Sequence, residues 1–151
     1  MIAWLGRQAF RLNLPIIRRI LDGSIRAKVL ILNQEEKQVL LVKNWLSQQK
    51  WTLPGGGVKP KEAPDQAASR EIKEELGVAI SPDEFKFVVD FEYKEAETGA
   101  QWQAVILWCC WDKRRTIRLN RGELINYAWF DLDRLPANLS DIARRALKAK
   151  K

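Results

Sequence analysis

The chain has 151 residues, of which 46% are hydrophobic and 30% charged, with a formal net charge of +7 and no histidine. This length suits one domain with its own core and is too short for two domains of ordinary size. The lack of histidine excludes Ser-His and Cys-His nucleophile systems, His-ligated zinc and imidazole general bases, so acid–base chemistry must use carboxylates, lysine or tyrosine.

The positive charge is concentrated at the two ends of the chain. Residues 1–28 and residues 134–151 each hold six Lys or Arg and one Asp, a net +5 apiece, which leaves −3 for the residues between them. We expect residues 1–23 to form a basic amphipathic helical extension and residues 24–151 to form the main domain. The basic termini leave nucleic acid open as a partner, although such segments are usually solvated charge runs.

A short helix is predicted from Pro15 to Leu21, ended by Gly23. Its apolar residues share one face: Ile16, Ile17, Ile20 and Leu21. We expect this face to dock on the chain's own domain. The alternatives are a twin subunit, which would make a homodimer, and peripheral membrane contact, which is disfavoured because an anchor needs a large exposed apolar face. Trp4 and Phe10 ahead of the helix favour some interface.

The next segments combine β-strands with a run of glycines. Ile25–Leu32 and Gln38–Val42 are β-rich and separated by five polar residues, which predicts a hairpin. Leu53–Gly57 then carries consecutive glycines, whose backbone takes unusual conformations and comes close to a metal or ligand. No G-K-[ST] follows and the G-x-G-x-x-G spacing is missing, so this is neither a Walker loop nor a dinucleotide fingerprint.

The best-delimited helix is predicted from Pro64 to Leu76. Proline suits the first helical position and Gly77 fits just past the end. Residues at i, i+4 and i+8 form an apolar stripe that should face the core: Ala68, Ile72 and Leu76.

Beside this stripe the same helix carries an acidic cluster. Glu71, Glu74 and Glu75 are related as i, i+3 and i+4, so their side chains reach a common centre. Like charges this close repel, and Mg²⁺ compensates them well because it is held by a few carboxylates while it also takes phosphate oxygens. The cluster therefore predicts a metal and a phosphate-containing substrate. Arg70 is placed to brace the cluster as an ion pair, and Glu62 to pair with the same guanidinium.

The second half of the chain predicts another strand pair and a final helix. Phe85–Tyr93 and Gln101–Trp111 flank a polar stretch, and Ser140 is placed to cap the last helix. Within the second strand, Cys109 and Cys110 are expected to be buried, reduced thiols.

Reduced cysteines and the lack of a signal peptide favour a cytoplasmic location. Of the seven tryptophans, Trp45 and Trp102 lie in polar, loop-like stretches and are the better candidates for stacking on a substrate ring, since Trp in a strand is usually core.

One pattern unites the glycine run and the acidic helix. The residues from Gly56 to Val78 fit G-x5-E-x7-R-E-U-x-E-E-x-G-U, where U is apolar: Gly56, Glu62, Arg70, Glu71, Ile72, Glu74, Glu75, Gly77 and Val78. This pattern resembles the signature of Nudix hydrolases, and the flanking Trp51–Pro54 and Tyr127–Leu132 agree. Lys61 departs from many such signatures, which have glycine before the first glutamate.

The resemblance implies an α/β fold, an alpha/beta/alpha sandwich around a mixed sheet. It also implies hydrolysis of a nucleoside diphosphate linked to another group, a nucleotide-derived small molecule. It implies Mg²⁺ or Mn²⁺ bound by Glu71, Glu74 and Glu75, with the Gly55 carbonyl as a further ligand. Arg70 and Glu62 would hold the loop and helix together.

Members of this family differ in the general base, so that role does not follow from the motif. Glu123 is our candidate because it precedes the late strand in a loop where similar enzymes often carry such a residue; Glu92, Glu95 and Glu97 compete with it. We expect a water activated by the metal to attack a phosphorus atom of the pyrophosphate link. The alternative, motivated by the basic termini, is a nucleotide- or RNA-binding module with little or no turnover.

Overall fold

The computed structural model describes residues 14–45 and 49–151. In chain order the elements are α1 (Leu14–Leu21), β1 (Ile25–Asn33), β2 (Gln38–Asn44), β3 (Gly55–Gly57), α2 (Pro64–Leu76), a 3-10 turn (Pro82–Glu84), β4 (Lys86–Lys94), β5 (Gln101–Cys110), β6 (Leu124–Asp131) and α3 (Asp141–Lys150).

The strands form one mixed sheet in the order β4-β5-β1-β2-β6, with β3 paired to β1. β1 and β5 are parallel, whereas the other pairs are antiparallel. One edge of β1 is shared, because residues 26–28 pair with β3 and residues 31–33 pair with β2. Both predicted strand pairs are confirmed. The shared edge brings the glycine run directly beside β1.

The α2 side of the sheet holds one of two apolar layers. The helix buries its predicted stripe completely, since Ala68, Ile72 and Leu76 are each 0% exposed. They pack on alternate residues of β1: Ala27, Val29 and Ile31. The period of two along the strand gives β1 a second set of residues for the opposite face.

That opposite face is covered by α1 and α3. Leu30 and Leu32 of β1 pack there with Leu21 of α1 and Ile142 of α3. Helices thus lie on both faces of a mixed sheet, which confirms the predicted sandwich. Ser140 caps α3 as predicted, because its hydroxyl accepts from the Ala143 amide at 3.3 Å.

The apolar face of α1 is only partly used by the chain's own domain. Leu21 is buried and Ile17 packs partly against the same layer. Ile16 and Ile20, however, are 60% and 70% exposed. The expectations for Trp4 and Phe10 fall on residues outside the described part. Among residues 14–45 and 49–151, no helix combines the length and apolarity needed to cross a membrane.

Two sequence expectations in β5 are wrong. Cys109 is buried but Cys110 is exposed, because adjacent strand residues face opposite sides and Cys110 is the last residue of the strand. Trp102 is not in a loop either: it lies in β5 and is 5% exposed. Its ring packs against Tyr93 with centroids 5.0 Å apart. Trp45 is partly exposed, and its stacking role stays a prediction.

We expect Ile72→Ala to destabilise the protein by about 2–5 kcal/mol, because it leaves a cavity where α2 packs on the sheet. Urea unfolding followed by circular dichroism measures this. The neighbouring Lys73→Ala is a matched control, since Lys73 is exposed on the same helix and should change stability by less than about 0.5 kcal/mol. Equal effects of the two variants would contradict this packing.

Candidate functional site

Three carboxylates converge beside the glycine run. One oxygen atom from each of Glu71, Glu75 and Glu123 lies within 4.8 Å of the other two. Glu71 and Glu75 are one turn apart on α2, and Glu123 comes from the loop before β6. The structure therefore groups two predicted metal ligands with the predicted general base.

The loop that carries Glu123 is held against the end of α2. Its amides at Arg118 and Asn120 donate to the carbonyls of Leu76 and Glu75 at 2.7 and 2.8 Å. These carbonyls are among those that a helix end leaves without intrahelical partners. The Asn120 side-chain amide then donates to Glu123 Oε1 at 3.2 Å. The end of the helix thus fixes where Glu123 lies.

Glu74 lies outside this group of carboxylates. Its side chain is 47% exposed, and Oε2 is 3.5 Å from Arg70 Nη1. Glu74 is three residues after Glu71, and Glu75 is four residues after it. The Glu74 side chain therefore leaves the helix in a different direction from that of Glu75. Its assignment as a metal ligand stays a prediction.

Arg70 joins the helix to the loop before it. Its Nε and Nη2 donate to the two oxygens of Glu62 at 2.9 and 3.0 Å. Nη1 donates to Glu71 Oε1 at 2.7 Å, and Nη2 also donates to the Gly57 carbonyl at 2.8 Å. The hydrogen bonds from Arg70, with one from the Lys59 amide, lower the pKa of Glu62 to about 2. The ion pair between Arg70 and Glu62 that the sequence predicted is present.

Lys61, the departure from the usual signature, has a backbone φ of 65°. This is the left-handed region, which favours glycine and which a residue with a Cβ adopts at some cost. The conformation explains why glycine suits this position, and the chain adopts it with lysine instead. Glu62 still reaches Arg70, so the loop geometry is kept.

The glycines let the loop backbone contact the carboxylates directly. A Cβ on Gly56 would lie 2.4 Å from Glu71 Cδ. Gly55 has a φ of +121°, and a Cβ there would lie 2.1 Å from the Ala27 carbonyl oxygen. A side chain at Gly55 would clash with the β1 backbone, and one at Gly56 would force the Glu71 carboxylate to move. The loop backbone thus comes close to α2, and the Gly55 amide donates to Glu75 Oε2 at 2.8 Å.

A buried lysine contacts the other backbone polar group of Gly55, its carbonyl. Lys28 of β1 donates from Nζ to the Gly55 carbonyl at 2.8 Å. Burial lowers the pKa of Lys28, and burial likewise raises the pKa of Glu75, against the opposing effects of Lys28 and the Gly55 amide. The predicted metal-ligand carbonyl of Gly55 thus already accepts one hydrogen bond. Sequence reasoning missed Lys28, and its only signal was a charge within a β-rich run.

The donor set fits a hard divalent cation. Carboxylate oxygens from three side chains are the ligands that Mg²⁺ and Mn²⁺ prefer, and a cation beside Glu75 would favour its ionised form against burial. The competing base candidates lie elsewhere. Glu92 is exposed on β4, Glu97 is 3.6 Å from Lys50, and Glu95 lines a cavity with Glu97.

Comparison with known proteins gives one family. The family model described as NUDIX domain matches residues 24–150. Diphosphoinositol polyphosphate phosphohydrolase 3-alpha of Mus musculus is 48% identical over 46 residues, which are 30% of this chain and 28% of that protein. Diphosphoinositol polyphosphate phosphohydrolase 2 of Rattus norvegicus is also 48% identical over 46 residues, 30% of this chain and 26% of that protein. The matches span less than a third of these relatives.

Solved structures agree over most of the chain. A MutT NUDIX hydrolase from Burkholderia pseudomallei has a TM-score of 0.75 and 26% identity, covering 86% of this chain and 99% of that one. A MutT protein from Methanosarcina mazei Go1 shares the fold with a TM-score of 0.65 at 24% identity, over 87% of this chain and 97% of that one.

We expect Gly56→Ala to weaken Mn²⁺ binding by at least about tenfold, because the added methyl group displaces the Glu71 carboxylate. Titration calorimetry with Mn²⁺ measures this, and circular dichroism checks the fold. Gly57→Ala is the matched control, since the nearest atom to a Cβ there is Arg26 Nη1 at 3.7 Å. Unchanged Mn²⁺ affinity in Gly56→Ala would contradict the role of Glu71.

The lowered pKa of Glu62 predicts a pH-dependent contribution to stability. A carboxylate with a lowered folded-state pKa stabilises the protein above its ordinary pKa of 4.5, and this stabilisation is lost as the pH falls toward about 2. When the pH is lowered from about 5 to about 3, the melting temperature of Glu62→Gln should therefore fall by less than that of the wild type. Glu36→Gln, an exposed change in the β1–β2 turn, should follow the wild type. An equal fall in melting temperature for all three proteins over this pH range would refute the prediction.

Proposed function

We propose that this chain, which belongs to the NUDIX family, is a Mg²⁺-dependent pyrophosphohydrolase that cleaves a nucleoside diphosphate linked to another group. The observation that carries the proposal is the convergence of Glu71, Glu75 and Glu123 beside a loop backbone without side chains. Several carboxylate oxygens and an open loop are what a cation-bound phosphate chain needs.

The cation would be held by Glu71 and Glu75, beside Glu123, with Mn²⁺ as the other ion suited to carboxylate donors. When bound, it supplies charge neutralisation on the phosphate oxygens and a lower pKa for an attacking water. Arg70 contributes by holding the Glu71 carboxylate in place from Nη1, while Glu62 fixes the rest of its guanidinium.

Glu123 is the group that we propose as the proton acceptor for the attacking water. It is exposed to solvent, whereas Glu75 is buried. Its Oε1 is oriented by the Asn120 amide, so the carboxylate is held in one direction before the substrate arrives. Exposure lets a water reach it, and it lies next to Glu71 and Glu75, where the cation would be held.

The relatives support this class of reaction. The Mus musculus relative is named a phosphohydrolase of a diphosphoinositol polyphosphate, and such a compound contains the phosphoric anhydride bond that the proposed reaction breaks. The shared segment of 46 residues is too short to carry the substrate of that protein to this chain, so the nucleotide assignment rests on the family.

The proposal is tested with purified protein, Mg²⁺ and a substrate panel. Nucleoside triphosphates, sugar nucleotides, dinucleoside polyphosphates and 5′-triphosphorylated RNA would be followed for released phosphate, pyrophosphate or monophosphates. We expect turnover of at least one class, and its loss with EDTA. Glu75→Gln should lower kcat by at least about 100-fold, because one ligand of the cation is lost.

The control for this variant is Glu36→Gln, which makes the same chemical change in an exposed turn and should leave kcat unchanged. Circular dichroism must show that Glu75→Gln keeps its fold. No turnover of any panel member, or full activity in Glu75→Gln, would overturn the proposed function.

A further inference from the structure

Helices α1 and α3 cover the same face of the sheet. Leu21 of α1 and Ile142 of α3 both pack in the apolar layer that contains Leu30 of β1, whereas α2 packs on the opposite face. The outward sides of α1 and α3 therefore point the same way, away from the sheet and from α2. We call this surface the basic face, after the cations of its two helices: Arg18, Arg19, Arg144, Arg145, Lys148 and Lys150.

Within residues 14–45 and 49–151, the charge of the basic face is not neutralised by ion pairs. The two helices hold these six cations and one acid, Asp141, a net +5. The ion pairs in the described part of the chain join other residues, and none of them includes one of the six cations. Arg19 and Lys148 are exposed. The basic face therefore presents an excess of positive charge to whatever lies against it.

Two isoleucines lie among these cations on the outward side of α1. Ile16 and Ile20 are one turn apart and 60% and 70% exposed, while Leu21 of the same helix is buried. Arg19 is three residues from Ile16, so the two apolar side chains and a guanidinium share one side of the helix. Exposed apolar side chains gain free energy when they leave water. Isoleucines beside arginines on one helix are typical of helices that lie in the interface between a membrane and water.

Charge and apolarity together select an anionic lipid surface as the partner of the basic face. A bilayer with anionic phospholipids has an extended negative surface that attracts Lys and Arg, and its acyl boundary accepts apolar side chains. A nucleic acid would use the cations through its phosphates but offers no apolar layer to Ile16 and Ile20. A second copy of the chain in a two-fold dimer would place one basic face against another, which repulsion between like charges disfavours.

We propose that the basic face is a docking surface for an anionic phospholipid bilayer. Arg19 and Lys148, one from each helix, contact the anionic headgroups, and Ile16 and Ile20 enter the boundary between headgroups and acyl chains. The sequence disfavoured membrane contact because α1 alone offers a small apolar face. The structure adds the charges of α3 to the same surface, and a second signal of this kind strengthens membrane attachment.

The docked orientation leaves the candidate active site accessible. Glu71 and Glu75 belong to α2, which packs on the other face of the sheet. The carboxylate group therefore lies on the side of the protein away from the bilayer, open to a substrate in solution. The inference goes beyond the proposed function and does not depend on it.

The test is co-sedimentation of the full chain with vesicles of phosphatidylcholine alone and of phosphatidylcholine with about 30% phosphatidylserine, which have a negative surface potential. We expect binding to the anionic vesicles at about 50 mM salt and at least about tenfold weaker partitioning at about 500 mM salt, because salt screens the charges. We expect no binding to phosphatidylcholine alone. Arg19→Gln/Lys148→Gln should partition about 10- to 30-fold more weakly, since each cation contributes about fivefold near such a surface.

Lys59→Gln/Lys73→Gln is the matched control for charge. It removes two exposed cations from the α2 side of the protein, so it has the same net charge as the variant of the basic face. It should partition like the wild type if the position of the charges decides binding.

Ile16→Gln/Ile20→Gln tests the apolar contribution. It keeps every charge and should partition at least about tenfold more weakly, because the two side chains no longer enter the acyl boundary. Leu132→Gln/Leu135→Gln is its control, since it removes two exposed leucines after β6 and should partition like the wild type.

Circular dichroism and sedimentation velocity decide whether something other than lipid covers the isoleucines. Ile16→Gln/Ile20→Gln should melt at the same temperature as the wild type and sediment with the same mass. A lower melting temperature would show that the isoleucines pack within the chain. A dimer that this variant dissociates would assign the face to a second copy. Either result would overturn the inference.

Lack of binding to the anionic vesicles, or equal partitioning of the wild type and either variant of the basic face, would also overturn it. Fluorescence anisotropy with a single-stranded RNA is the last measurement. RNA binding that Arg19→Gln/Lys148→Gln weakens, without vesicle binding, would assign the cations to nucleic acid instead. These outcomes are separable from the hydrolase assignment, because none of the measurements follows turnover.

Discussion

The backbone of β3 lies directly against the acidic side of α2, and the candidate site depends on that contact. A Cβ at Gly56 would displace the Glu71 carboxylate, and the Gly55 amide donates to Glu75. Arg70 adds a bond from α2 back to the Gly57 carbonyl. Two elements that meet through backbone and carboxylates leave a surface of oxygens and amides, which is the chemistry that cations and phosphates require.

The same contact explains how opposite charges are accommodated below the surface. Glu75 and Lys28 are both buried, and burial of an isolated charge is strongly unfavourable. Here Glu75 accepts from the amide of Gly55 and Lys28 donates to the carbonyl of the same residue, so each charge is hydrogen-bonded to a backbone group of opposite partial charge. The strand and the helix are therefore joined by a polar link within an otherwise apolar interior.

Local features of the fold were predictable from the sequence, whereas the composition of the site was not. α2 runs from Pro64 to Leu76 as predicted, because proline at its start and Gly77 with a φ of 67° at its end are local signals. The hydrophobic pattern also predicted both strand pairs. The exclusion of Glu74 from the carboxylate group and the contact between Lys28 and Gly55 depend on how β1, β3 and α2 meet in space. A pattern along one segment does not contain that information.

The bonds between the Glu123 loop and the end of α2 determine which substitutions the loop would tolerate. The amides of Arg118 and Asn120 hold the loop at the helix, and both lie before Glu123 in the chain. They use main-chain atoms, so they are insensitive to which side chains the loop carries. Substitution of a side chain after Asn120 therefore leaves these two bonds to α2 in place. The position of the loop beside Glu71 and Glu75 accordingly does not depend on which side chain stands at position 123.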